Sequence, residues 1–206
     1  MLELVPQASV QTIPNGVDID YFKPQGLPTL PDRLIFVGRM NWYPNIKAVQ
    51  YIAKNIWPKL KQKHPGLECD IIGANPPMSV ITLSKELPGF NVHGFVDDVR
   101  PFIESATIYV CPIQDGGGTK LKILDAMAMA KAIVAHPVAC EGIGVRNNQN
   151  IMIAENETAF VDTIDFLLKT KEKRETLGKN ARRLVEEHYN YYSIGKNLSH
   201  AFQTCL

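Results

Sequence analysis

The chain has 206 residues, 45% hydrophobic and 21% charged, enough to bury a sizeable core in one large domain or two small ones. Its 22 Lys and Arg against 21 Asp and Glu leave a net charge of +1, which gives no global field for nucleic acid or an acidic partner, so any anion site has to be local. No apolar stretch reaches the ~18 residues of a membrane span, the N-terminus carries no signal-peptide pattern, and Cys69, Cys111, Cys140 and Cys205 are too scattered for a zinc motif; a reduced, cytosolic setting without structural metal is expected.

In chain order, the first buried-strand run is RLIFVG (33–38). A helical period follows over 45–63, with Ile46, Val49, Ile52, Ala53, Ile56 and Leu60 at three- and four-residue spacings. Further strand runs are LECDIIG (67–73), FNVHG (90–94), ATIYVCP (106–112), KAIVAH (131–136) and NIMIA (150–154), separated by shorter helical stretches at 79–87, 98–105 and 118–130. From 157 onward the pattern is helical throughout and predicts two or three closing helices. Strand and helix in alternation predict an α/β, Rossmann-like, doubly wound parallel six-stranded sheet, with helices on both faces and C-terminal helices.

In such a sheet ligands bind beyond the carboxyl ends of the strands. The loops to inspect are therefore 38–39, 73–75, 94–95, 113–119 and the stretch from His136 onward. The loop after ATIYVCP reads IQDGGGTKLKILDAMAMA: three glycines, two lysines, then an apolar helix holding one acid, Asp125. Glycines let a ligand approach main-chain N–H groups, and a helix start exposes unpaired donors at a positive dipole end. Lys120 and Lys122 oppose that dipole unless an anion also sits there, and a phosphate or diphosphate resolves the conflict. Asp125 is either the structural partner of Lys122 or Arg39, or it waits for ligand hydroxyls such as a ribose diol. Neither a Walker A order nor G-x-G-x-x-G is present.

Taken together, IPNGVDIDYFKP (13–24), LIFVGRM (34–40), VHGFVDDVRPFIESATIYVCP, GGGTKLKILDAMAMAKAIVA and the following EGI resemble the C-terminal domain of GT-B glycosyltransferases of the retaining family 4, or group 1, type. The variant is similar to bacterial sugar transferases of cell-surface and exopolysaccharide assembly. The resemblance implies that residues 1–24 are an interdomain crossover and 25–206 the half that binds the nucleotide-sugar donor, a UDP- or GDP-sugar. It further implies that no metal or other cofactor is needed, and that the N-terminal acceptor domain lies outside this chain, which alone is expected to be inactive. Carried over by residue, Arg39 and Lys120 are the cations acting on the donor diphosphate, with Gly117, Gly118, Thr119, Lys120 and Leu121 forming its cradle. Asp125 corresponds to the ribose-binding acid, and Gly73, Phe95 and Val96 border the base. The chain departs from the pattern at Gly117, where an acid toward the donor sugar is usual, and at Pro44 and Asn45, where a lysine is usual; Asp also replaces Glu at 125. Alternatives from other classes are a GT-B-fold sugar-nucleotide epimerase and a non-catalytic sugar-nucleotide-binding module. A cytoplasmic location is expected, with peripheral association at the inner face of the membrane left open.

Four further features carry weaker expectations. His93 reads as a satisfied loop histidine rather than a base. Trp42 and Tyr43 read as packing or a helix cap before sugar stacking. KEKR (171–174) reads as a solvated helix face, and Glu141 as a weak candidate for a sugar hydroxyl contact.

Overall fold

The computed structural model describes residues 10–204, so the first part of the expected 1–24 crossover, and Cys205, lie outside the described residues. The strands are β1 (Arg33–Val37), β2 (Glu68–Ile72), β3 (Phe90–Gly94), β4 (Ile108–Cys111), β5 (Ile133–Ala135) and β6 (Met152–Ile153). They form one parallel sheet in the order β3-β2-β1-β4-β5-β6. The chain winds outward from β1 in one direction and from β4 in the other, so the switch in winding falls between these two strands. Their pairing is in register at Leu34↔Ile108 and Ile35↔Tyr109. β4 is buried along its whole length and the middle of β1 is fully buried, as parallel strands covered on both faces should be.

The first helical stretch runs as α1 (Tyr43–Tyr51), a π-helical segment (Ile52–Ile56) and α2 (Trp57–Lys63). The sequence period reads this as one helix, but Pro58 lacks an N–H and crowds the carbonyl one turn back. The widened segment before it absorbs that conflict without turning the apolar face, for Ile52, Ile56, Trp57 and Leu60 all remain buried. The stretch 79–87 divides into α3 (Met78–Ile81) and α4 (Leu83–Glu86). α5 (Arg100–Ser105) and α6 (Leu121–Ala128) lead into β4 and β5, and α7 (Glu157–Lys169), α8 (Lys171–His188) and α9 (Tyr191–Thr204) follow β6. α1, α2 and α7 share one face; α5, α6 and α8 share the other, the division that right-handed crossovers impose once the winding reverses. Gly178 lets α8 lie against the end of α6, since a Cβ there would fall 2.0 Å from Ala130 O.

Residues 17–30 are bound to this body rather than detached from it. Val17 is buried and its N–H donates to Tyr189 O (2.8 Å). Arg182 donates to the carbonyls of Ile19 (3.2 Å), Phe22 (2.7 Å) and Ala128 (2.7 Å), tying that segment to α6. KEKR is not simply a solvated face: Lys173 donates to Asn148 O, and Arg174 to the carbonyls of Leu167 and Leu168, closing the turn between α7 and α8.

Candidate functional site

The carboxyl ends of β1 and β4 open into a cleft of about 860 Å³. Arg39 from the β1–α1 turn, Gly73 after β2, and Phe95 and Val96 after β3 border it. So do Gly117, Thr119, Lys120 and Leu121 from the β4–α6 loop, and Asp125 from α6. Thus four of the inspected loops converge. The fifth reaches the β4–α6 loop without lining the cleft: Glu141 approaches Lys120, while His136 turns its Nδ1 to the N–H of Val138 (3.2 Å) and starts a short 3₁₀ turn. Gly118 is outside the lining but inside the loop, with its carbonyl facing Lys120.

The loop is built around that lysine. Gly116 (φ +88°) and Gly118 (φ +79°) take left-handed turns that suit only glycine, and these bring their carbonyls onto Lys120 Nζ at 2.6 and 2.8 Å. Lys120 has 2% of its side chain exposed, and its ammonium lies 3.8 Å from Glu141 Oε2. It stands just before the helix in extended conformation rather than in the first turn, because the loop coils back on its own carbonyls. With the carbonyls drawn inward, the main-chain N–H groups of Thr119, Lys120, Leu121 and Lys122 find no acceptor among the described residues. These four consecutive residues all border the cleft.

The opposite wall depends on two close approaches. A Cβ on Gly73 would fall 1.8 Å from Gly38 O, so only glycine lets the ends of β1 and β2 meet here. A Cβ on Gly38 would lie 2.6 Å from Lys122 Nζ and 2.8 Å from the Asn45 amide, so that space belongs to a lysine ammonium from α6. Asn45, 3% exposed, accepts from Lys122 through Oδ1 and donates through Nδ2 to Arg39 O (2.7 Å). Lys122 Nζ also sits 4.8 Å from the centre of the Phe36 ring. Burial holds the Lys122 pKa below that of an ordinary lysine.

Asp125 makes no side-chain hydrogen bond among the described residues, and burial, only partly opposed by Lys122, pushes its pKa up to about 7. Arg39 is exposed and its guanidinium has no partner among the described residues. Of the sequence alternatives for Asp125, neither a Lys122 nor an Arg39 hydrogen bond is formed. Trp42 packs on the loop, since a Cβ on Gly116 would lie 3.3 Å from its ring. His93 lies within β3 rather than in a loop, and its Nε2 meets Asp70 Oδ1 at 2.7 Å, a satisfied histidine. The described cysteines are buried, with Cys140 pushed up to about 12 by burial, so they offer no thiolate nucleophile. Sequence reasoning did not find the Asn45–Lys122 contact. No group of three or more His, Cys, Asp or Glu able to hold a metal occurs among the described residues, and no described helix is long and apolar enough to cross a membrane.

Comparison with known proteins agrees with this architecture. An uncharacterised 44.6 kDa protein in the cps region of Klebsiella pneumoniae is 21% identical over 164 residues, 76% of this chain and 42% of that protein. A phosphatidyl-myo-inositol mannosyltransferase of Mycobacterium tuberculosis is 28% identical over 130 residues, 60% of this chain and 34% of that protein. The chain spans less than half the length of the curated relatives it matches. The crystal structure of Anabaena Alr3699/HepE in complex with UDP and glucose shares the fold, with TM-score 0.73 at 15% identity over 94% of this chain and 56% of that one. The family model for glycosyl transferases group 1 matches residues 31–170, a span that takes in all six strands and the whole cleft. With that match laid over a GT-B-like sheet, the chain belongs to the group 1 glycosyl transferases.

Proposed function

We propose that the cleft binds the nucleotide-sugar donor of a glycosyl transfer, with the diphosphate on the β4–α6 loop, and that the whole protein serves surface-polysaccharide assembly. The observation that carries this reading is the run of unpaired N–H groups at Thr119–Lys122, at the positive end of α6 and bordering one cleft with Arg39. In this reading Arg39 and the loop hold the phosphates, and Lys120 keeps the loop coiled while adding its charge. Asp125 accepts from the ribose hydroxyls, and Gly73, Phe95 and Val96 bound the base. Transfer requires negative charge to build on the departing diphosphate, and fixed donors already in place lower that barrier without reorganising. No nucleophile or metal is asked of this half. The cps-region relative, the mannosyltransferase relative and a neighbour solved with UDP and glucose support the substrate class.

Calorimetry of the 206-residue chain with UDP, GDP, UMP, GMP, uridine and guanosine, with and without a chelator, tests it. One diphosphate should bind at least about tenfold more tightly than its nucleoside, as charge-assisted bonds to phosphate require, and the chelator should change nothing. Sugar transfer by this chain alone should be undetectable, because donor and acceptor must be held in one geometry. Nucleosides binding as tightly as diphosphates would overturn the reading.

A further inference from the structure

We propose that Lys122 is a diphosphate-binding cation of the cleft and that Asn45 is its positioning residue; this rests on the donor reading above. An ammonium carries three donors. For Lys122 one goes to Asn45 Oδ1, the Phe36 ring faces the charge, and no carboxylate or main-chain oxygen accepts from it among the described residues. Lys120 differs in this respect, since its donors are taken by the loop carbonyls. A purely structural side chain at position 122, lying against Phe36, would be better served by an apolar residue, because a sheltered charge without a charged hydrogen-bond partner is costly. The niche is instead made for a cation: position 38 has no side chain because the ammonium fills that space.

The partner chosen for it is informative. An acid at position 45 would hold Lys122 equally well but would cancel its charge. An amide orients the ammonium and leaves the charge available to an anion. The same amide is anchored through Nδ2 to Arg39 O, so one buried side chain sets the positions of the Arg39 main chain and the Lys122 ammonium together. Lys122 also lies in the first turn of α6 beside the unpaired loop N–H groups, so both phosphates of a diphosphate would meet donors from the two sides of the switch between β1 and β4.

The test is calorimetry on the whole 206-residue chain with UDP, GDP and their nucleosides, using Lys122→Met and Asn45→Asp. Lys122→Met keeps the length and apolar fit of the stem. It should weaken the bound diphosphate about tenfold or more and leave the nucleoside within about twofold. Asn45→Asp neutralises the ammonium and also loses the Nδ2 bond to Arg39 O, since a carboxylate cannot donate, so it should produce the same selective loss with a lower melting temperature. It decides the matter if Lys122→Met does not fold. Diphosphate affinity retained in either variant, or equal loss for nucleoside and diphosphate, overturns the proposal while wild-type diphosphate binding leaves the donor reading intact. A wild-type chain that binds neither UDP nor GDP removes the donor reading itself, and this inference with it.

Discussion

The two ends of the sheet each enclose a lysine and an acid, and they treat them in opposite ways. At the amino end, Glu104 is 6% exposed and its Oε1 accepts from the N–H groups of Gln25 (2.7 Å), Gly26 (2.7 Å) and Leu27 (3.1 Å). Lys131, 8% exposed, donates to Glu104 O at 2.8 Å. Burial brings the Lys131 pKa down to about 8, partly opposed by Glu104. The main chain meets these charges, although Glu104 Oε2 is buried without a partner among the described residues. At the carboxyl end, Asp125 has no side-chain hydrogen bond, Arg39 has no side-chain partner and Lys122 hydrogen-bonds only to an amide, all among the described residues. The same residue types thus serve as a clamp at one end and as an open set of donors and acceptors at the other. What separates a site from a structural ion here is the tally of unmet partners, not the presence of charge.

That contrast is broken most forcefully at the clamp. Glu104→Ala takes the shared carboxylate acceptor from three N–H groups of the exposed 25–27 segment, and the expected cost is about 2–3 kcal/mol in a denaturant titration. The preference of the remaining folded protein for diphosphate over nucleoside should not move. A changed preference would mean that the two ends are coupled.

Lys120→Met comes next, because Lys120 mixes both kinds of use. Its two carbonyl bonds are structural, so about 1–3 kcal/mol of stability should be lost. The loop it coils carries the unpaired N–H groups, so diphosphate affinity should fall about tenfold while the nucleoside loses less. Loss of stability with diphosphate binding intact would place Lys120 wholly on the clamp side of the comparison.

How much of this was legible depended on the range of each interaction. Every strand was readable as a short β-branched or apolar run, although β3 and β6 are only partly buried and β5 is shorter than the KAIVAH run. Lys131, in that run, is spent on Glu104 instead of the ladder. The helical stretch 45–63 was readable by period, while its π segment required the steric consequence of Pro58 to be followed through. The glycine loop announced itself locally, as three glycines between a strand and a helix. Lys120 as an internal brace did not, since its two bonds depend on how the loop coils. The Asn45–Lys122 bond joins residues 77 apart in sequence, so only the approach of β1 to β4 reveals it.

The smallest expected effect lies at Asp125 and tests the open end most finely. Its pKa in the folded protein is about 7, against 3.8 for an ordinary aspartate, because burial disfavours the carboxylate. The folded free protein therefore holds this proton more tightly than the unfolded chain between those values. Its contribution to stability is present at low pH and is lost as pH rises from about 4 through about 7. Asp125→Asn removes the burden of the charge, so its melting temperature relative to wild type should be higher at pH 8 than at pH 5. Ligand binding has the opposite sign, because a carboxylate accepts from both ribose hydroxyls and the protonated acid does so less well. Wild-type affinity for a ribonucleotide should rise severalfold from pH 6 to pH 8 beyond any rise seen for its 2′-deoxy analogue. The Asp125→Asn variant should flatten that difference and reduce the ribo-over-deoxy preference by about threefold to tenfold. If the preference survives while the melting temperature shifts as described, Asp125 belongs with Glu104 as a buried structural acid, and the contrast between the two ends narrows to Arg39 and Lys122.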